Sequence, residues 1–483
     1  MRTSRLLSLL LAVAGSAQAQ TTSPFQPPEE ELGVYVVNSG SGLDTGCTYR
    51  GRGPLIIKLK IPKVLNDKQF DGDGKLLDAQ KLINNGVISA QAVIRFPVYD
   101  IDDKAVTGGT FAPEIDRVSF NGVFQKNLQG FNNTWTDDSL VIPIEDLKFG
   151  QDNELRIDID TGNVGKGEYW CMAVDWVAAE FDVAYPYVLQ HGISASETTW
   201  DVAAAPGVIS ALEDRGVLFT RFSLSQGQGG NGSVAGNAAE LLGNVTSFLE
   251  PLKAKKVHVI AHSKGGLDTQ AMQAFGPEFE ILSLSTLSTP HLGSVSADMS
   301  IIQKQTADIK INTGADPNGF VASYINTWTF GQGPQLPGLA DLTTYAATTA
   351  LSMGLRGNIS NTYTFGANAD LNGDNDLTMN ESAGLFPGAA HYAAERAWRV
   401  MRDFSSAPIL SIVKKPGVLW GTNTVLTYAT VLAPSPQPND IVVTLGSANP
   451  GYGSPQGNVM ANHSTIKSGA LINQILDTTI PLQ

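Results

Sequence analysis

Val257-His258-Val259-Ile260-Ala261-His262-Ser263-Lys264-Gly265-Gly266 runs from a β-branched apolar stretch through a serine between small residues into the helix-like segment 267–275. A strand, a sharp turn and a helix in that order hold a serine exposed at a helix N-terminus, where free N–H groups favour developing negative charge. Ala261 and Gly265, two residues to either side, are small enough for neighbouring backbone to pack against such a turn. The pattern predicts Ser263 as a nucleophile.

Outward from this turn, short apolar runs alternate with helical periodicity. Tyr187-Val188-Leu189-Gln190, Val217-Leu218-Phe219-Thr220 and Ile281-Leu282-Ser283-Leu284 read as buried strands. Between them, Leu241, Leu242, Val245, Phe248, Leu249 and Leu252 recur near the helical period. Such alternation predicts βαβ units around a parallel sheet, and with the serine turn it predicts an α/β-hydrolase domain over residues 183–483. The first of these runs, Tyr187–Gln190, leads into His191-Gly192-Ile193. In this fold the amides after that His-Gly pair and after the serine face the oxyanion, which points to Ile193 and Lys264.

The fold orders its catalytic groups as serine, acid, histidine. Of the six histidines, at 191, 258, 262, 291, 391 and 463, only His391 and His463 come late enough. His391 opens a helix-like stretch, where a structural role fits, so His463 is preferred as the base. Asp440, in Pro438-Asn439-Asp440-Ile441, follows the strand-like run 425–431 and precedes His463 by a short interval. Asp374 and Asp376 compete for the acid's role, because Thr362-Tyr363-Thr364-Phe365 also suits a preceding strand. These two belong to a stretch with the spacing of an EF-hand loop, with oxygen donors Asp370, Asn372, Asp374, Asp376 and Glu381. A structural Ca²⁺ is expected there, with Asn375 where glycine is usual, and no cofactor is expected for catalysis.

Residues 20–182 have little helical periodicity. Leu155, Ile157 and Ile159 alternate with charged residues, and Gly, Asn and Asp separate the apolar runs. An all-β sandwich, jelly-roll-like, is expected, with 170–176 as its closing strand and Cys47 paired with Cys171 in a disulfide. Ahead of it, Arg2 and Arg5, an apolar run and Ala17-Gln18-Ala19 read as a signal peptide over residues 1–19, and hence a secreted protein. No run is long enough to serve as a transmembrane anchor. The formal net charge of −14 argues against nucleic acid and anionic membranes as partners.

Taken together, His191-Gly192-Ile193, Ala261-His262-Ser263-Lys264-Gly265, Ser288-Thr289-Pro290-His291-Leu292-Gly293-Ser294, Pro438-Asn439-Asp440 and Ala461-Asn462-His463 look like the bacterial triacylglycerol lipase and esterase group of α/β-hydrolases. The resemblance spans roughly residues 183–483. It implies Ser263, Asp440 and His463 as a triad, Ile193 and Lys264 as the oxyanion hole, and a small-molecule or lipid ester as substrate. It also places a lipase-type lid at 299–354. The chain departs from the pattern at Ala261 and Ile441, where these enzymes usually have glycine, and in the long stretch before Asp440. Two other readings follow from the same residues. One is a polyester depolymerase or polysaccharide deacetylase, its amino-terminal domain holding the polymer or glycan; the other is an exported binding protein that has lost activity.

Overall fold

The computed structural model describes residues 23–39, 48–49, 53–102, 113–162, 171–225, 230–298, 337–385, 390–416, 422–434 and 437–481. The leader-like segment, Cys47 (and with it the expected disulfide) and residues 299–336 of the expected lid lie outside these residues.

The amino-terminal part is built on antiparallel strands. One sheet has the order β1 (Val34–Asn38), β10 (Trp176–Glu180), β4 (Gln91–Tyr99), β9 (Cys171–Val174) and β2 (Thr48–Tyr49), with β7 (Trp135–Pro143) also paired to β4. A second has the order β3 (Leu55–Lys60), β8 (Asp152–Asp158), β5 (Arg117–Phe120) and β6 (Val123–Asn127). Burial alternates strictly along β3, as a half-buried strand requires. Two expectations need correction. The described part of the expected closing strand, 171–176, is not one strand, because it is interrupted at Asp175 between β9 and β10. Nor is the region purely β: Asp78 caps helix α1 (Ala79–Asn84) by accepting from the Lys81 N–H.

Three carboxylates are buried in this part, Asp160 and the pair Glu114 and Asp116. Glu114 Oε2 accepts from the Asp102 N–H and Asp116 Oδ1 from the Asp160 N–H, while the other oxygen of each meets no N–H donor among the described residues. Burial pushes both carboxyls above the ordinary range, and the charge of Asp116 adds to the effect on Glu114. The folded state therefore holds protons that the unfolded chain gives up near pH 4. The resulting stability is complete below that pH and is lost as pH rises through the raised folded values. Tm followed by circular dichroism should fall from about pH 7 to pH 9, above the range in which the unfolded chain's histidines titrate, and Glu114→Gln should flatten that slope.

Beyond residue 183 the sheet becomes parallel, in the order β12 (Phe219–Arg221), β11 (Tyr187–Gln190), β13 (Lys256–His262), β14 (Glu280–Leu287), β15 (Thr362–Asn368) and β18 (Ser454–Met460). Strands β11, β13 and β14 are buried along nearly their whole length, because helices cover both faces. Helices α3 (Val234–Leu249) and α4 (Gly265–Ala274) contribute Leu241, Val245, Leu249, Ala271 and Met272 to a core with Val188, Val257, Val259 and Leu284. On the other face, α2 (Val208–Arg215) and α9 (Gly469–Thr479) join Tyr187 and Leu189 in a buried cluster that continues without a break into both amino-terminal sheets.

The amino-terminal part meets this sheet at a definite end. Asn85 Nδ2 donates to the Arg215 carbonyl, Lys68 pairs with Glu213, and the Tyr35 hydroxyl donates to the Leu252 carbonyl. Arg215 and Leu252 immediately precede β12 and β13, so these contacts lie where the parallel strands begin. Ser263 lies where β13 ends.

The long stretch before Asp440 is an excursion from β15. Helix α7 (Ala390–Asp403) leads into a hairpin of β16 (Phe404–Pro416) and β17 (Thr422–Pro434), and among the described residues these two strands pair only with each other. The run 425–431 is thus a strand, but not one of the parallel sheet. The Ala369 N–H donates to the Asn439 carbonyl and closes the excursion, so Asp440 stands at the end of β15 despite its distance in sequence.

Candidate active site

The turn after β13 gives Ser263 a φ of +56°. A non-glycine residue there costs of order 1–3 kcal/mol, sustained only by the surrounding packing. The Ser263 N–H donates to the Leu287 carbonyl, tying the turn to β14. A Cβ on Gly265 would lie 2.5 Å from the His191 carbonyl oxygen, and one on Gly192 would lie 2.6 Å from the Ser263 Cβ. Close approach of the 190–192 backbone to the serine therefore accounts for glycine at both positions.

The loop after β18 carries His463. Its Nε2 lies 2.9 Å from Ser263 Oγ and its Nδ1 lies 2.8 Å from Asp440 Oδ2. The backbone follows the same partner, the His463 N–H donating to the Asp440 carbonyl at 2.9 Å. Asp440 is fully buried, and its Oδ1 accepts from the N–H groups of Val442 and Val443 at 2.9 and 2.7 Å. Ile441, where glycine is usual, adopts φ +84°, and its N–H is held by Asn439 Oδ1. A β-branched residue at positive φ is a genuine outlier, so the acid loop keeps the backbone shape that glycine would adopt without strain.

The backbone N–H groups of Ile193 and Lys264 have no acceptor among the described residues. The Lys264 side chain is fully buried, with Nζ 2.7 Å from Asp268 Oδ1, while Asn237 Nδ2 donates to Asp268 Oδ2 at 3.0 Å. Burial pushes the Asp268 carboxyl up to about 6, opposed by Lys264 and Asn237. This buried ion pair holds the residue after the serine onto α4. The sequence carried one signal of it, the four-residue spacing of Lys264 and Asp268. His262 was also legible only as a neighbour of the serine. Its ring lies 4.7 Å from that of His463 and its Nε2 donates to the His463 carbonyl at 2.7 Å. Burial, and then the Lys467 cation, hold its pKa well below the usual value, so it stays neutral.

The competing residues lie elsewhere in the hydrogen-bond pattern. His391 Nδ1 pairs with Ser382 Oγ, His258 Nδ1 with Ser283 Oγ, and His291 with Thr286 and Tyr452. Asp374 accepts from Asn372 and Asp376, while Asp376 accepts from Leu377 and Arg399. In the EF-hand-like loop, Asp370 accepts from the Gly373 and Asn375 amides, and Glu381 from Leu371 and Thr378. Among the described residues no group of three or more His, Cys, Asp or Glu side chains gathers as a metal ion needs. In the conformation described, backbone amides engage these carboxylates.

Residues 187–312 match a family described as "Putative serine esterase (DUF676)". Over part of its length the chain is similar to bacterial proteins named triacylglycerol lipase. It is 34% identical over 128 residues to a triacylglycerol lipase of Burkholderia plantarii, covering 26% of this chain and 34% of that protein. It is 34% identical over 115 residues to a triacylglycerol lipase of Pseudarthrobacter phenanthrenivorans, covering 24% and 35% respectively. The chain thus spans about a third of the length of these curated relatives. Among solved structures, it is similar to the mature form of Bacillus licheniformis lipase BlEst2, with a TM-score of 0.37 and 17% identity over 62% of this chain and 92% of that one. To the propeptide form of the same lipase the TM-score is 0.41, with 15% identity over 62% and 51%.

Proposed function

We propose that this protein is a secreted carboxylic-ester hydrolase that works through an acyl-enzyme on Ser263. The observation that carries the reading is the hydrogen-bonded chain Asp440–His463–Ser263 at the end of the parallel sheet. His463 Nε2 takes the hydroxyl proton as Ser263 Oγ adds to the ester carbonyl carbon. The oxyanion is met by the Ile193 and Lys264 amides, which have no acceptor among the described residues. Collapse of the adduct expels the alcohol, which takes the proton from His463. Water then enters by the same route, with His463 again as base, and releases the acid. Lipid and small-molecule esters are the proposed substrates, and no cofactor takes part.

The two antiparallel sheets support reading residues 20–182 as a β-sandwich module packed against a catalytic unit at 183–483. Their docking where the parallel strands begin, away from Ser263, favours an ester-hydrolase reading over one in which the module presents a polymer to the serine. The test is fluorophosphonate labelling of the full chain, with the adduct located by peptide mass spectrometry, alongside turnover of p-nitrophenyl esters of increasing chain length. An adduct on Ser263 that is absent in His463→Ala, together with turnover, is the expected result. Folded protein with neither adduct nor turnover would overturn the proposal.

Calcium at residues 370–381 is proposed from the order of oxygen-bearing side chains alone, and it requires the loop to exchange amide donors for the ion. Millimolar Ca²⁺ should then raise Tm in wild type and leave it unchanged in Glu381→Gln. An unchanged wild-type Tm would reject it.

A further inference from the structure

We infer that His191 is a positioning residue for the oxyanion site, aiming the Ile193 N–H toward the substrate carbonyl oxygen through its own hydrogen bond to the Gly192 carbonyl. The inference rests on the esterase reading above and adds a residue to it. His191 Nδ1 lies 2.8 Å from the Gly192 oxygen, and Nε2 accepts from the Leu224 N–H at 3.2 Å. A ring that accepts at Nε2 and meets a carbonyl at Nδ1 must carry its single proton on Nδ1. Burial lowers the His191 pKa and keeps the ring in this neutral form.

The consequence follows from peptide geometry. In a trans peptide the C=O and N–H point in opposite directions. Fixing the Gly192 oxygen on the His191 ring therefore turns the Ile193 N–H the other way. The Gly192 Cα packs directly against Ser263, so this peptide borders the nucleophile. The far side is held as well: the Ser194 N–H and Oγ both donate to Asn231 Oδ1, at 3.0 and 2.9 Å, and Ser194 has φ +53°. Gly230 covers the ring's hydrogen bond so closely that a Cβ there would lie 2.8 Å from the Gly192 oxygen and 2.9 Å from His191 Cε1. One amide, with no acceptor among the described residues, thus sits between two clamps. A donor of this kind stabilises a transition state only if its direction is set before the reaction.

Full-length wild type, His191→Asn, His191→Gln and His191→Phe should be compared for kcat and KM on p-nitrophenyl butyrate, inhibition by an alkylboronic acid, and Tm. Asn can place an N–H close to the Nδ1 position, whereas Gln reaches toward Leu224 and leaves the Gly192 oxygen without its donor. His191→Gln and His191→Phe should lower kcat by about 10- to 100-fold with KM nearly unchanged. Boronate binding should weaken in proportion, because its tetrahedral adduct uses the same amide, and His191→Asn should recover most of kcat. An unchanged kcat in a folded His191→Gln would overturn the inference, as would His191→Asn being no better than His191→Gln. So would a rise in KM alone. If His191→Phe fails to fold, the Asn and Gln pair still decides. Wild type that is not labelled on Ser263 would reject the esterase reading itself, whereas labelled, active wild type with an indifferent His191→Gln would reject only the positioning role.

Discussion

Ser263→Ala should lower kcat by about 10⁶-fold and leave Tm within a few degrees of wild type or raise it. The loss is large because without the Ser263 hydroxyl His463 has no proton to take and the carbonyl no nucleophile, so nucleophile and base fail as a unit. His463→Ala should cost nearly as much alone, and adding it to Ser263→Ala should cost almost nothing further. The residual rate, still above that in water, would come from the Ile193 and Lys264 amides and from substrate binding. Stability should not suffer, since alanine at φ +56° carries a similar backbone strain and gives up only the bond to His463. The measurement is single-turnover hydrolysis of an activated ester beside thermal melts. A loss of less than about 100-fold for Ser263→Ala would sink the nucleophile assignment.

Asp440→Asn should lower kcat by about 10⁴-fold with little change in KM. The surroundings of the carboxylate make the direction of this effect unusually clear. Oδ1 accepts from two backbone N–H groups, those of Val442 and Val443. An asparagine must leave its carbonyl oxygen there, because turning the amide would set NH₂ against two donors in a buried site. Its NH₂ then faces His463 Nδ1, which has to become an acceptor. The imidazole proton is driven to Nε2, where it faces Ser263 Oγ and cannot accept the hydroxyl proton. Raising the pH should restore part of the rate, as the serine becomes less dependent on the base. Asp440→Glu should lose the Val442 and Val443 bonds and be damaged in both stability and rate. If Asp374→Asn and Asp376→Asn instead abolished activity while Asp440→Asn retained it, the acid would lie in the other loop.

Much of the arrangement was legible because it depends on local order. The turn at Ser263 shows in sequence because its backbone tolerates only small neighbours, and the packing of Gly265 against the 190–191 backbone gives the reason. Strand–helix alternation showed the parallel sheet, since strands buried on both faces read as apolar runs. His463 was reachable by elimination, few histidines being late enough. The acid was not resolved in the same way. The strand-like run 425–431 pointed to the loop of Asp440, but it pairs with β16 rather than with the parallel sheet.

What the sequence by itself determined is which residues can be strands, which serine can stand at a strained turn, and which histidines and aspartates compete to serve it. Those properties belong to short stretches of chain and their periodicity. Only the tertiary structure decided that Asp440 returns to the end of β15, through the bond between Ala369 and Asn439 across an intervening helix and hairpin. It alone turned His191 onto the Gly192 carbonyl and set the amino-terminal sheets at the end of the parallel sheet away from the serine. Each of these joins groups distant in sequence or sets the direction of a single bond, and one-dimensional spacing holds no information about either.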